Sequence, residues 1–271
     1  MKTRYKILIA KIIFNIINFF LRKSKIICTR NKINYSLNLN EAIDLYIFIF
    51  GKFETEIVDT AYKLKMYKYK KIIDIGANNG IQSLQFAQKF KFSKIYSVEP
   101  TNYAYKKFKD NLMINRSFEK RIFPFQFYIN NDSSRPKKIH SSWDLKSNQS
   151  KHPEHQGIRK SISNSQNISL DKFLYINKIK KVDFIKLDVD GLELKVLMSG
   201  KKFLSKNKPV IFMELASYLY PEFGYSVQDL VFFLEKLKYN FYEINPMKKI
   251  TKINDYVLSI KDGSSKNIML M

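Results

Sequence analysis

The sequence predicts an α/β fold in which a mostly parallel sheet is covered by helices on both faces. Short apolar runs of strand length alternate with stretches whose apolar residues recur at helical spacing. Strands that are apolar along their whole length are typical of a parallel sheet buried under helices. The strand-like runs lie at 72–75, 95–98, 122–129, 183–187 and 210–213, and the helical stretches at 81–90, 101–115, 192–205 and 226–238.

The start of the chain predicts an amphipathic helix. The apolar run at 7–21 holds fifteen residues, whereas a membrane-spanning helix needs about 20. Polar residues fall on one stripe of a helix, and no small-residue cleavage site follows. Two alternatives stay open: residues 4–25 contact a membrane surface, or their apolar face packs on the domain. The stripe consists of Arg4, Lys11, Asn15, Asn18, Arg22 and Lys25.

These patterns divide the chain into a helical extension, residues 1–35, and one domain, residues 40–271. Within the domain, the connection at about 133–168 is rich in Ser, Asn, Lys and His. A connection of this length is usually functional or disordered. The end of the chain adds candidate edge strands at 240–244, 255–260 and 267–270.

The formal net charge of +24 raises the question of a nucleic-acid partner. Only seven of the 48 basic residues are Arg, and Asn and Ile are abundant as well. This composition indicates an AT-biased gene that raises Lys everywhere, so we expect no nucleic-acid partner. The charge would still attract anionic lipid at low salt. The one cysteine, Cys28, excludes an intrachain disulfide and fits a cytoplasmic protein, at the inner face of a membrane if the helix binds lipid.

The stretch KKIIDIGANNG predicts a ligand-binding loop after a buried strand. Asp74, Gly76 and Gly80 lie where ligands bind in open α/β sheets, beyond the carboxyl end of the strand. The spacing D-x-G-x-x-x-G differs from the dinucleotide pattern G-x-G-x-x-G. A glycine turn without a ligand is the alternative. Glu99, at the end of the next strand, could accept the two hydroxyls of a ribose, which makes a nucleoside site the better interpretation.

Together these motifs resemble the FkbM family of S-adenosylmethionine-dependent methyltransferases. The resemblance rests on IIDIGANNGIQSL, VEP, FIKLDVDGLELKVLMSG and PVIFMEL, with GKFETE before them. It implies a Rossmann-like class I methyltransferase fold with a mostly parallel seven-stranded sheet. It also implies that S-adenosyl-L-methionine lies among Asp74, Gly76, Asn78, Gly80 and Glu99, with Asn131 and Asp132 near the adenine.

A second acidic loop, IKLDVDGLE, supplies candidate catalytic residues. The family usually has DVEG where this chain has DVDG at 188–191. Asp188 could act as a base, or Asp188 and Asp190 could hold Mg²⁺. Capping of the next helix is the alternative for both. The same D-x-D also suits a metal-dependent glycosyltransferase, which would leave DIGANNG and VEP unexplained.

The long connection carries all three histidines of the chain, His140, His152 and His155, and its one tryptophan, Trp143. A histidine can accept a proton near neutral pH, so we expect one of them to assist Asp188. The resulting hypothesis is O-methylation of a hydroxyl on a sugar, glycan or secondary-metabolite acceptor.

Overall fold

The fold is that of a computed structural model, which describes most of the chain. Side chains are described from residue 12 onward. The described stretches are residues 3–64, 70–132, 135–141, 145, 151–153, 157–261 and 263–271.

An eight-stranded sheet forms the centre of the molecule. Its strands are β3 (Lys71–Ile75), β4 (Lys94–Val98), β5 (Ile122–Phe125), β10 (Phe184–Leu187), β11 (Val210–Leu215), β12 (Phe241–Glu243), β13 (Lys248–Ile250) and β14 (Lys266–Leu270). Five of them run parallel in the order β11-β10-β3-β4-β5, and β14, β12 and β13 extend the sheet beyond β11 by antiparallel pairing.

The α/β prediction is confirmed, and the predicted number of seven strands is wrong by one. The additional strand β13 forms a hairpin with β12 at the edge of the sheet. A second difference concerns residues 255–260, which were expected to form a strand. They fall largely within helix α10 (Ile253–Leu258), because Ile253, Tyr256, Val257 and Ile260 are spaced at helical intervals and pack on the core.

Helices cover both faces of the sheet. Successive strand residues point to opposite faces, so Ile72 packs into one apolar cluster and Ile73 into the other. The covering helices and their neighbours are α2 (Ala42–Phe50), α3 (Thr55–Lys63), α4 (Ile81–Lys89), α5 (Asn102–Met113), α6 (Leu170–Ile176), α7 (Glu193–Ser199), α8 (Lys201–Asn207) and α9 (Val227–Lys236). The first cluster includes side chains of α4 and α5, and the second includes side chains of α6, α7 and α9.

Two predicted elements are interrupted. The run at 122–129 divides into β5 and β6 (Phe127–Ile129), and β6 leaves the main sheet to pair with β9 (Gln166–Ile168). The helix expected at 192–205 divides at Gly200, where a Cβ would lie 2.6 Å from the side chain of Leu170. In the long connection, β7 (Lys138–Ser141) and β8 (Ile158–Ser161) form an antiparallel hairpin.

The first part of the chain forms a helix followed by a hairpin that the sequence analysis missed. Helix α1 (Thr3–Leu21) precedes the antiparallel strands β1 (Lys25–Arg30) and β2 (Ile33–Asn38). Phe14 is 2% exposed and packs in the first apolar cluster, with Ile17 against it. No helix among the described residues is long and apolar enough to cross a membrane.

The other face of α1 is apolar as well and lies open to solvent. Ile12, Ile16, Phe19 and Phe20 are 54–76% exposed. Packing on the domain and contact with a membrane surface were the two alternatives for this helix. One side of α1 packs on the domain, and the opposite side is available to a second surface.

A buried charged network fixes α2 beside α5. The Lys107 ammonium forms ion pairs with Glu41 and with Asp44, which is fully buried. Asp44 Oδ1 also accepts a hydrogen bond of 3.0 Å from Asn79 Nδ2, in the loop after β3. Helix α2 is therefore tied to the glycine loop.

The packing of α1 predicts unequal effects for two phenylalanine substitutions. Phe14→Ala should lower the free energy of unfolding by about 3 kcal/mol, since it leaves a cavity in the core. Phe19→Ala, on the exposed face, should change it by less than about 0.5 kcal/mol. Denaturant unfolding of both variants measures the difference, and equal losses would contradict the packing of α1.

Candidate active site

A cavity of about 1020 Å³ lies at the carboxyl ends of the parallel strands. Its walls come from the loops after β3, β4, β10 and β11, from β6, and from the β7–β8 hairpin. The register of β3 and β10 pairs Asp74 with Lys186, so the two acidic loops meet at one edge, as the sequence predicts.

The glycines of the first loop are required by protein packing. Gly76 has φ +78°, and a Cβ there would lie 1.7 Å from the carbonyl oxygen of Asp188. Gly80 has φ +81°, and a Cβ there would lie 2.1 Å from the Phe108 ring. Gly76 and Asn78 line the cavity, whereas Gly80 is not among the described lining residues. The close neighbours of both glycines belong to the protein, so these glycines do not by themselves indicate a ligand.

Asp74 lies behind this loop and not on the cavity wall. It is fully buried, and its Oδ2 accepts a hydrogen bond of 2.5 Å from Ser83 Oγ. Its Oδ1 has no hydrogen-bond partner and lies 3.5 Å from Lys186 Nζ. In the described part of the chain, Lys186 therefore connects Asp74 to the cavity wall.

Lys186 links the two loops. Its ammonium is 3% exposed, donates a 3.0 Å hydrogen bond to the Gly76 carbonyl, and lies 3.2 Å from Asp188 Oδ2. Burial disfavours the charged form, but the carboxylates of Asp188, Asp74 and Glu54 outweigh it and raise the pKa of Lys186. Lys186 therefore remains a cation beside the cavity.

Four carboxylates form an acidic cluster on the cavity wall around this lysine: Glu54, Asp188, Asp190 and Glu214. The carboxyl oxygens of the last three lie within 4.8 Å of one another. Desolvation and the charge of Asp188 raise the pKa of Glu54 and of Asp190 to about 7, and raise the pKa of Glu214 as well. Glu54 and Asp190 are therefore partly protonated at neutral pH and can accept a proton there.

Glu54 reaches this cluster from a constrained backbone. It has φ +45° and ψ +46°, immediately before α3, and its carbonyl accepts a 2.8 Å hydrogen bond from Gln82 Nε2. A non-glycine residue in the left-handed region costs free energy that surrounding structure must offset, and such residues cluster at functional sites.

Glu99, directly after β4, contacts the first loop from the side of that strand. Its carboxylate is 5% exposed and accepts hydrogen bonds of 2.9 Å from the Asn78 N–H, and of 2.8 and 2.5 Å from the N–H and hydroxyl of Thr101. Burial raises the pKa of Glu99. A carboxylate offers about four acceptor positions, so Glu99 keeps capacity for a hydroxyl from the cavity that it lines.

The structure does not bring Asn131 and Asp132 to this cavity among the residues described. Both are exposed, and Asp132 Oδ2 lies 2.9 Å from Lys195 Nζ on the surface. Tyr128 and Ile129, just before them in β6, line the cavity in their place. After β6 ends, the chain turns away from the cavity, so Asn131 and Asp132 lie on the surface.

The β7–β8 hairpin brings two of the three histidines to the cavity. His152 is 3% exposed, and its Nε2 lies 2.8 Å from Glu222 Oε1. The His140 ring lies 4.8 Å from the His152 ring, edge to face. Desolvation, His152 and Arg159 lower the pKa of His140, which keeps it neutral and able to accept a proton. His155 and Trp143 lie outside the described residues.

Sequence reasoning missed three charged residues of this site. Lys186 lies inside the buried strand FIKL, and Glu214 lies inside VIFMEL. A charge within an otherwise apolar strand is a signal in itself, since burial without a partner costs several kcal/mol. Glu54 was quoted within GKFETE but not singled out, because nothing in the sequence places that segment beside the strand ends.

Comparison by sequence identifies the family. The family model described as the methyltransferase FkbM domain matches residues 74–241, which hold both loops and most of the sheet. The chain belongs to the FkbM methyltransferase family. It is therefore an S-adenosylmethionine-dependent methyltransferase, and the D-x-D motif of this FkbM protein belongs to a methyltransferase and not to a glycosyltransferase.

A search of curated proteins gave no match. Among solved structures, an O-methyltransferase from Bacillus cereus in complex with SAH is similar at 10% identity and a TM-score of 0.46, covering 81% of this chain and 80% of that one. Precorrin-6y C5,15-methyltransferase from Geobacter metallireducens has 13% identity and a TM-score of 0.45, covering 80% and 86%. M. jannaschii TYW2 in complex with AdoMet has 14% and 0.45, covering 92% and 84%. Similarities of this size carry no argument about the acceptor.

The cavity residues fit the cofactor of the family. Gly76, Asn78 and Glu99 form one wall with hydrogen-bonding capacity, and the acidic cluster beside them is complementary to a sulfonium cation. S-adenosylmethionine supplies an electrophilic methyl group when bound, and the chain itself must hold the acceptor in line with that group.

The raised pKa of Glu54 predicts a change of stability with pH. The folded protein holds this proton up to about pH 7, whereas the unfolded chain releases it near the ordinary value of 4.5. Stability from this group is therefore present at low pH and is lost as the pH rises through 7. Glu54→Gln should raise the thermal midpoint at about pH 8 and leave it nearly unchanged near pH 4.5.

The exposed Glu235 on α9 gives the matched control for this measurement. Glu235→Gln removes one carboxylate from the surface, away from the cavity, and so measures the effect of the lost charge alone. If the midpoints of the Glu54→Gln variant and the unmodified protein keep the same difference at both pH values, Glu54 does not titrate near 7.

Proposed function

We propose that this chain transfers the methyl group of S-adenosylmethionine to a hydroxyl of a sugar, glycan or secondary-metabolite acceptor. The observation that carries the proposal is the acidic cluster beside the cofactor loop, in which the pKa of Asp190 and of Glu54 is raised to about 7. An alcohol is a weak nucleophile until its proton leaves, and a carboxylate that titrates near neutral pH is suited to accept that proton.

Asp188 is the proposed catalytic carboxylate that orients the hydroxyl. Support comes from its position on the cavity wall, from the 3.1 Å hydrogen bond that its N–H donates to the Ile75 carbonyl, and from the Lys186 ammonium at 3.2 Å. A group held on both sides keeps its geometry through a reaction. Asp190, open to the cavity, is the proposed proton acceptor next to it.

His140 and His152 are the proposed assisting groups on the opposite wall. The Glu222 carboxylate within 2.8–2.9 Å of Nε2 holds the His152 ring, and the lowered pKa of His140 favours its neutral form. A neutral imidazole can accept a hydrogen bond from a second hydroxyl of the acceptor. The two histidines would thereby orient a polyol head group.

The cofactor assignment gives Gly76, Asn78 and Glu99 the contacts with S-adenosylmethionine, and gives Asp74 an indirect role through Lys186. A buried carboxylate that already accepts three hydrogen bonds is well fixed. It is suited to take hydroxyls of a ribose at a defined position.

A pair of isosteric substitutions separates these roles. Asp188→Asn should leave the affinity for S-adenosylhomocysteine within a few-fold and lower methyl transfer by about 10²-fold, the scale of a general base or its partner. Glu99→Gln should instead weaken S-adenosylhomocysteine binding by about tenfold, since it removes a charge-assisted acceptor. Calorimetry measures binding, and label transferred from S-adenosylmethionine to glycan and lipid fractions of a cell extract measures turnover.

Full turnover in Asp188→Asn would remove Asp188 from catalysis, and unchanged affinity in Glu99→Gln would remove Glu99 from the cofactor site. Because the Lys186 ammonium already pairs with Asp188, we propose a site that works without Mg²⁺. Methyl transfer should survive a chelator, and a loss that Mg²⁺ restores would make Asp188, Asp190 and Glu214 metal ligands.

We also propose that α1 contacts a membrane surface through Ile12, Ile16, Phe19 and Phe20. Apolar side chains beside cationic ones are typical of helices that lie at an anionic interface. Anionic vesicles should sediment the protein, and added salt should reduce that binding. The double variant Phe19→Ser, Phe20→Ser should bind less, and equal sedimentation of variant and unmodified protein would contradict the contact.

A further inference from the structure

One wall of the cavity is apolar and leads out to solvent. Side chains of α1 and α2 line the cavity. We call four of them the apolar rim: Ile13, Tyr46, Ile49 and Phe50. The last three are 44%, 37% and 55% exposed, so the same side chains belong to the cavity wall and to the molecular surface. The Tyr46 and Phe50 rings pack 4.5 Å apart, which makes this wall a continuous hydrocarbon surface.

The apolar rim adjoins the exposed face of α1. Ile12 precedes Ile13 directly, and Ile16 lies one helical turn further on, with 54% and 56% exposure. Phe19 and Phe20 continue that face toward the end of the helix at 75% and 76% exposure. An apolar surface therefore runs from the open face of α1 into the cavity.

Charge around this surface favours an anionic bilayer over a protein partner of mixed charge. Residues 1–40 contain nine Lys and Arg and no Asp or Glu. Arg22, Lys23 and Lys25, just after α1, are exposed. Cations that flank an apolar helix face are attracted to anionic lipid head groups.

The inner end of the cavity has the opposite character. The acidic cluster forms one part of that wall, and His140, His152 and Arg159 form another. These groups are suited to bind hydroxyls and not hydrocarbon. At about 1020 Å³, the cavity slightly exceeds the range of about 300–1000 Å³ for small-molecule sites, which leaves room for an acceptor beside the cofactor.

We infer that the methyl acceptor is an amphiphile drawn from a membrane. Its hydroxyl-bearing head enters the polar end of the cavity, and its hydrocarbon chain lies on the apolar rim, directed toward the bilayer on which α1 rests. The inference rests on the proposed methyl transfer to a hydroxyl, and it adds a chain-binding site that neither the family nor that reaction requires.

Paired probes with the same head group test the chain-binding site. Protein loaded with S-adenosylhomocysteine is titrated by calorimetry with maltose and with dodecyl maltoside, the latter below its micelle-forming concentration. Dodecyl maltoside should bind at least about tenfold more tightly, because burial of each methylene is worth about fourfold in affinity. The variant Ile49→Ser, Phe50→Ser should lose at least about half of that logarithmic gain and keep its affinity for S-adenosylhomocysteine.

Two control variants locate the chain. Phe92 is 85% exposed in the turn before β4, at the opposite end of the strands. Phe92→Ser should therefore change neither the affinity for dodecyl maltoside nor the affinity for S-adenosylhomocysteine. Phe19→Ser, Phe20→Ser should weaken vesicle binding but not binding of dispersed dodecyl maltoside. If dodecyl maltoside affinity falls in this variant and not in the rim variant, the chain lies on α1 outside the cavity, and the inference is wrong.

The outcome for S-adenosylhomocysteine separates this inference from the proposed function. If S-adenosylhomocysteine binds and dodecyl maltoside binds no better than maltose, or neither sugar binds, the chain-binding site is refuted while the proposed function stands. If S-adenosylhomocysteine itself does not bind, the proposed function fails, and the acceptor inference fails with it.

Discussion

The buried ammonium of Lys186 is the interaction on which the site depends. It contacts the Gly76 carbonyl, the Asp188 carboxylate and, at 3.5 Å, the Asp74 carboxylate, and so it joins the ends of two adjacent parallel strands. Without this cation, Asp74 and Asp188 would be negative charges near one another at the centre of a sheet. Such an arrangement is strongly unfavourable when one partner is missing, even where the intact network adds little net stability.

The carboxylates around this cation differ from those that it pairs with. Desolvation and the charge of Asp188 raise the pKa values of Glu54, Asp190 and Glu214, and the Lys186 charge opposes this shift at Glu54 and Asp190 without cancelling it. The site therefore contains two kinds of acid. Asp74 and Asp188 are paired with an ammonium, whereas Glu54 and Asp190 have a pKa raised to about 7.

The sequence was sufficient for the α/β fold and for the two loops that meet, because both follow from local pattern. Apolar strands alternate with amphipathic helices, and parallel strands bring their carboxyl ends to one edge. The hairpin of β1 and β2, the position of α2 and the place of Glu54 depend on contacts between residues far apart in the chain. Asn34, for example, is fixed by Asn115 through a hydrogen bond of 2.9 Å, and no periodicity predicts such a pair.

The glycines of the first loop show that one sequence pattern can have more than one physical cause. Positive φ is required at Gly76 and Gly80, but the atoms that exclude a side chain there belong to Asp188 and Phe108. Asp132 was expected near the adenine because it follows a strand, but a position after a strand does not determine which way the chain then turns. Its pairing with Lys195 on the surface depends on a helix that arrives much later in the sequence.

The contact between Gly76 and the Asp188 backbone has a consequence for how such an enzyme could diverge. A separation at which even one methyl group has no room means that neither loop can change its path unless the other changes with it. Substitutions that change the acceptor are therefore tolerated better in the β7–β8 hairpin and in helices α1 and α2 than at the strand ends. Related enzymes with other substrates would differ in these outer elements and keep the two packed loops.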